Sequence, residues 1–137
     1  MARKTEGPVF VDTSAWVALA VTDDRHHGEA TAIFQELLKR GMITTNLVVA
    51  ETYVILRRAA GHRAAISFLE MVGASPRIKK VYSEPELEDE AEEILRRYSD
   101  QDFSFVDAVS FALMKREGIE EAFAFDRHFL TMGFRTS

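Results

Sequence analysis

Short apolar runs alternate with amphipathic stretches along this chain, and that alternation limits the fold more than any other feature of the sequence. Val9-Phe10-Val11, Met42 to Thr45, Ile78 to Tyr82 and Ala122 to Phe125 are too short for helices and read as buried strands. Between them the apolar spacing becomes helical. One helix runs through Trp16, Leu19 and Ala20, and His27 to Arg40 sets Ile33, Phe34, Leu37 and Leu38 on one side, with Gly41 as its stop. Asn46 is placed to cap a helix from Leu47 to about Ala60, and after Gly61 the residues Ile66, Leu69 and Val72 recur on one face. Helices are also predicted over Leu87 to Tyr98 and Ser104 to Glu117, then a helical turn after Asp126 and an edge strand at Phe134-Arg135. Strands alternating with helices require crossover connections. The predicted class is therefore α/β, a three-layer arrangement in which helices flank a mostly parallel, twisted sheet of four to five strands.

At 137 residues the chain is long enough for one well-filled core and too short for two, so residues 1–137 are expected to form a single domain. A mean hydropathy of -0.11 and the lack of any apolar run of membrane-spanning length predict no membrane association. Met1-Ala2-Arg3-Lys4 with the following apolar residues loosely mimics a secretory leader, but Asp12 breaks the apolar region. With no cysteine there is no disulfide framework and no thiolate chemistry, and a cytoplasmic location is expected. The net charge of -5 opposes nucleic-acid binding by charge alone. That excess is local, because residues 84–93 (EPELEDEAEE) hold seven acids and no base. This segment reads as the solvated face of a helix that begins at the capping pattern Ser83-x-x-Glu86.

Four acids stand where a folded chain rarely places them. Asp12 and Asp126 end two apolar runs, Glu51 follows Leu47-Val48-Val49-Ala50, and Asp107 lies within Phe105-Val106-Asp107-Ala108-Val109. Carboxylates are seldom buried unless paired or bound to a cation. Each has a purely structural alternative. Glu51 can pair with Arg58, Asp107 can form a capping box with Ser104, Asp126 can cap the turn Arg127 to Met132, and Asp12 can hold the Asp12-Thr13-Ser14 turn. Taken together they point to a divalent-cation site. Clustered carboxylates suit Mg²⁺ or Mn²⁺, which promote displacement at phosphorus. No glycine-rich phosphate loop is present, Ser14 and Ser104 have no evident histidine partner, and His26, His27 and His128 lack zinc spacing and are expected at the surface.

Phe10-Val11-Asp12-Thr13-Ser14, Glu51 in the third helix, Ser104-Phe105-Val106-Asp107-Ala108 and Phe125-Asp126-Arg127-His128-Phe129 together resemble the PIN-domain ribonucleases, especially the VapC-like toxins of prokaryotic toxin–antitoxin pairs. The resemblance extends through Gly133-Phe134-Arg135. It implies a PIN-like fold and an endoribonuclease that uses one or two Mg²⁺ or Mn²⁺ ions. It also implies a catalytic, metal-binding quartet of Asp12, Glu51, Asp107 and Asp126, supported by Ser14 and Ser104. A homodimer and a small antitoxin partner follow from the same resemblance. Arg57, Arg58 and Arg127 are candidates for RNA contact. One departure stands out: relatives often carry Thr or Ser two residues before the last acid, where this chain has Ala124, which predicts a missing hydrogen bond beside Asp126. Two other functions fit the same residues, an RNA-processing PIN nuclease without an antitoxin and a weakly active PIN domain that serves as a binding module.

Overall fold

The computed structural model describes residues 7–137. The leader-like Met1 to Lys4 lies outside that range. Five strands form one wholly parallel sheet in the order β3-β2-β1-β4-β5, from β1 (Val9–Val11), β2 (Met42–Thr45), β3 (Ile78–Val81), β4 (Glu121–Phe123) and β5 (Arg135–Thr136). The helices are α1 (Thr13–Ala20), α2 (His27–Arg40), α3 (Asn46–Ala60), α4 (His62–Ala74), α5 (Pro85–Arg97), α6 (Phe105–Glu117) and α7 (His128–Thr131). The expected α/β class holds. Among the described residues, no helix is long and apolar enough to cross a membrane.

The chain proceeds from β1 outward to β2 and β3, then returns to the other side of β1 with β4 and β5. The direction of winding therefore reverses between β1 and β4. In open parallel sheets a crevice forms at such a reversal, outside the carboxyl ends of the strands. β1 is buried along its whole length, so the residue that follows it, Asp12, emerges from the centre of the core.

Local chemistry accounts for most helix ends. Gly41 and Gly61 adopt φ values of 93° and 96°, where a side chain would be strained, and they close α2 and α3. Three expectations need correction. Thr45, rather than Asn46, caps α3 through Val48 N–H, because Asn46 Oδ1 is engaged by the backbone N–H of Ser83 beside β3. Helix α5 starts from Glu84 without a side-chain cap, and the Ser83 hydroxyl donates to Glu88 rather than joining Glu86 in a capping box. Helix α4 buries Ala65, Phe68 and Val72, while Leu69 is exposed. Both i, i+3 series are apolar there, and packing against Trp16 selects the one containing Phe68.

An aromatic cluster fixes the segment after β4. Phe129 is fully buried, stacks with Phe10 of β1 at 6.0 Å and meets Phe111 of α6 edge-on at 5.0 Å. It thereby anchors the short α7 turn to the sheet. Replacing Phe129 by Ala should cost about 3–5 kcal/mol of unfolding free energy in urea titrations. A loss below about 1 kcal/mol would show that the turn is held by something else.

Candidate functional site

All four acids singled out from the sequence line one open cleft of about 500 Å³ at the reversal between β1 and β4. Thr13, Ser14, Asp24, His26, Asp102, Ser104, Phe125 and His128 complete most of its wall. Arg57, Arg58 and Arg127 are exposed and lie outside this lining.

Asp12 is the most deeply placed, with 4 % of its surface exposed. It also caps α1: its Oδ2 accepts from Ser14 N–H at 3.3 Å and from the Ser14 hydroxyl at 2.9 Å. The turn expected from Asp12-Thr13-Ser14 is therefore present. Ser14 Oγ in turn accepts from Phe125 N–H at 2.9 Å, which ties the end of β1 to the segment after β4. Burial drives the Asp12 carboxyl from its ordinary 3.8 up to about 7. Asp107 adds to the rise, and the bonds from Ser14 and Thr13 only partly offset it.

Glu51 does not pair with Arg58. Its Oε1 instead accepts from Thr13 Oγ1 at 2.6 Å. The apolar stripe around it is also less buried than the sequence implied, since Val54 and Ile55 are substantially exposed. Asp107, 8 % exposed, forms the expected capping box, with Ser104 Oγ accepting from its N–H and its Oδ2 accepting from Ser104 N–H, both at 3.0 Å. Capping and a place in the cleft are thus compatible. Asp126 lies three residues beyond β4, because the strand ends at Phe123 rather than Phe125. Arg127, not Asp126, occupies the N-cap position of α7, yet Asp126 Oδ1 accepts from His128 N–H at 2.8 Å. That backbone bond holds Asp126 without any hydroxyl at Ala124.

A pattern joins the four carboxylates. Each is held by a donor from the protein: Asp12 Oδ2 by Ser14, Glu51 Oε1 by Thr13, Asp107 Oδ2 by Ser104 N–H and Asp126 Oδ1 by His128 N–H. Asp107 and Asp126 bring ligand atoms within 4.8 Å of one another, Asp12 and Glu51 line the same cleft, and an oxygen-rich lining of this kind fits a hard divalent cation.

His128, Asp102 and His26 were not legible as site residues. Rather than lying free at the surface, His128 is largely covered, with Nδ1 3.1 Å from Asp107 Oδ2 and Nε2 3.0 Å from Asp102 Oδ1. Burial opposes its protonation, but Asp126, Asp107 and Asp102 outweigh burial and raise its pKa above the ordinary imidazole value. His26 stacks on Phe125 with ring centroids 4.3 Å apart and forms an aromatic wall of the cleft. The one available signal was the spacing Asp126-x-His128, in which an aspartate that accepts a bond from two residues on turns the chain back on itself.

Comparison with known proteins matches residues 9–135 to the PIN domain. The chain is 39% identical over 126 residues to the 23S rRNA-specific endonuclease VapC20 of Mycobacterium tuberculosis, covering 92% of this chain and 95% of that protein. The crystal structure of M. tuberculosis VapC20, described as a sarcin–ricin loop cleaving toxin, superposes with a TM-score of 0.85 at 38% identity, again over 92% and 95% of the two chains. VapBC2 from Rickettsia felis, solved on a DNA fragment from its promoter, shares the fold at a TM-score of 0.69 and 12% identity over 94% and 96%.

The raised pKa of Asp12 fixes the sign of a pH effect in the metal-free protein. Between about pH 4 and 7 folded Asp12 keeps a proton that the unfolded chain has lost, so stability falls as pH rises through that window, by up to about 4 kcal/mol. His128, with its pKa raised, acts in the same direction: the stability it adds below its ordinary 6.5 is lost as pH rises through its folded value. Urea titrations without metal should therefore give lower stability at pH 8 than at pH 5. Asp12→Asn, which retains an acceptor for Ser14, should flatten that fall. Parallel pH profiles for the two proteins would contradict the assignment.

Proposed function

We propose, from the premise that this chain belongs to the PIN-domain family, that it is a divalent-metal-dependent endoribonuclease and the toxin of a toxin–antitoxin pair. The observation that carries this reading is the convergence of Asp12, Glu51, Asp107 and Asp126 on one cleft, each held by a hydrogen bond from the protein. The substrate carried over from VapC20 is 23S ribosomal RNA at the sarcin–ricin loop, supported by 39% identity across nearly the whole of both chains.

Asp12, Asp107, Glu51 and Asp126 would hold one or two Mg²⁺ or Mn²⁺ ions. When bound, such an ion acidifies water and neutralises charge developing at phosphorus. The chain's own part is orientation. Ser14 fixes Asp12, Thr13 fixes Glu51, and Ser104 fixes Asp107, so the carboxylates are arranged before substrate arrives. Asp126 is held by the α7 turn, which weakens the case for an inactive binding module based on Ala124. Exposed Arg57, Arg58 and Arg127 lie outside the cleft and are suited to phosphates of flanking nucleotides. Base-stacking on exposed or half-covered aromatic rings is the usual way looped RNA is gripped, and the His26–Phe125 wall is consistent with it.

The reading includes a homodimer, a cytoplasmic site of action and a small antitoxin. Support for a protein partner comes from an apolar groove of about 440 Å³ lined by Trp16, Leu19, Phe34, Phe68 and Met71. Concave sites lined by aromatic and aliphatic side chains suit the docking of a partner's apolar side chain.

The test is cleavage of a sarcin–ricin loop hairpin and of intact ribosomes by the purified protein. One cut in the loop should require Mn²⁺ or Mg²⁺ and stop with EDTA. Asp12→Ala should lower the rate roughly a thousandfold, equivalent to several kcal/mol of transition-state stabilisation. Equal cleavage by the variant would refute the site, and an intact loop alongside cleavage of other RNA would refute the substrate.

A further inference from the structure

His128 stands between the carboxylates in a way that a simple ion pair does not require. Its Nε2 lies 3.0 Å from Asp102 Oδ1, on the side away from the acid cluster. Its Nδ1 faces two cluster oxygens, Asp107 Oδ2 at 3.1 Å and Asp126 Oδ1 at 3.3 Å. Phe103 packs against the ring edge-on at 5.1 Å, and only 18 % of the side chain is exposed, so the orientation is fixed. A carboxylate on one ring nitrogen is how proteins orient an imidazole that binds metal: it takes that N–H, sets the tautomer and aims the other lone pair at the ion. One potential ligand atom each from Asp107, Asp126 and His128 lies within 4.8 Å of the other two, close enough for a single cation to serve all three.

We infer that His128 Nδ1 is a ligand of the divalent ion held by Asp107 and Asp126, and that this nitrogen biases the site toward Mn²⁺ over Mg²⁺. The inference rests on the metal-dependent reading of the same cleft and adds to it a donor outside the acidic quartet. Mg²⁺ takes oxygen donors and sheds water reluctantly, whereas affinity for nitrogen donors rises along the first transition row from Mn²⁺. Asp102 is then a positioning residue. It touches no ion but holds His128 in the tautomer that can ligate. The competing role for His128 is that of an internal counter-ion, paired with the acids only until a metal displaces it.

Pulsed electron paramagnetic resonance of Mn²⁺ on the full-length wild-type chain separates these roles, because a directly bound imidazole nitrogen modulates the manganese signal. The expected result is a nitrogen coupling in wild type that disappears in His128→Gln. Mn²⁺ affinity measured by titration should fall roughly tenfold in His128→Gln and in Asp102→Asn. Mg²⁺ affinity should change by less than about threefold, so that Mn²⁺ selectivity drops. The wild-type spectrum does not depend on whether either variant folds. Bound Mn²⁺ with no nitrogen coupling overturns the inference and leaves the metal-dependent reading standing, with His128 a counter-ion. Failure of wild type to bind Mn²⁺ overturns both.

Discussion

Asp12 leaves the central strand directly into a place where ionisation is opposed twice, by burial and by the nearby charge of Asp107. The hydrogen bonds from Ser14 and Thr13 reduce that opposition without removing it. A carboxylate held in this state is a standing demand for a cation or a proton, and the surrounding structure is arranged around it. Ser14 fixes the acid, Phe125 N–H fixes Ser14, and the β4 side of the sheet is thereby joined to β1 at the level of the cleft. Thr13, one residue further on, reaches Glu51 on α3 and brings a third element to the same point.

The fold supplies this geometry cheaply. Reversal of winding between β1 and β4 opens a crevice that needs no dedicated loop to form it. Asp107 reaches the crevice because the capping box starts α6 there, so one carboxylate both begins a helix and faces the site. Asp126 and His128 reach it because Phe129 pins the following turn into the aromatic core beside Phe10 and Phe111. Each acid is oriented by a residue at most three positions away or by one neighbouring helix. The constellation is therefore mostly local in sequence at each corner and long-range only where the corners meet.

That division explains what could be read from the sequence. Strands β1 and β2 and the acids at strand and helix ends were legible, because short apolar runs and misplaced carboxylates announce themselves locally. The burial face of α4 was not, since Leu69 and Phe68 belong to equally apolar series and Trp16 makes the choice from another helix. Nor was the partner of Asn46, which lies across the sheet at Ser83. The structural alternative for Glu51 was Arg58 on its own helix, and the partner it has instead is Thr13 on α1. His128 was missed for the same reason: its partners Asp102 and Asp107 are more than twenty residues away, and no period in the sequence connects them.

The central claim is that these four carboxylates form one metal-binding device. Anomalous diffraction from crystals grown in excess Mn²⁺ tests it most directly. The account predicts a manganese peak inside the cleft, with oxygens of Asp12 and Asp107 about 2 Å from it. A cleft without manganese, or manganese bound only elsewhere on the protein, would contradict it.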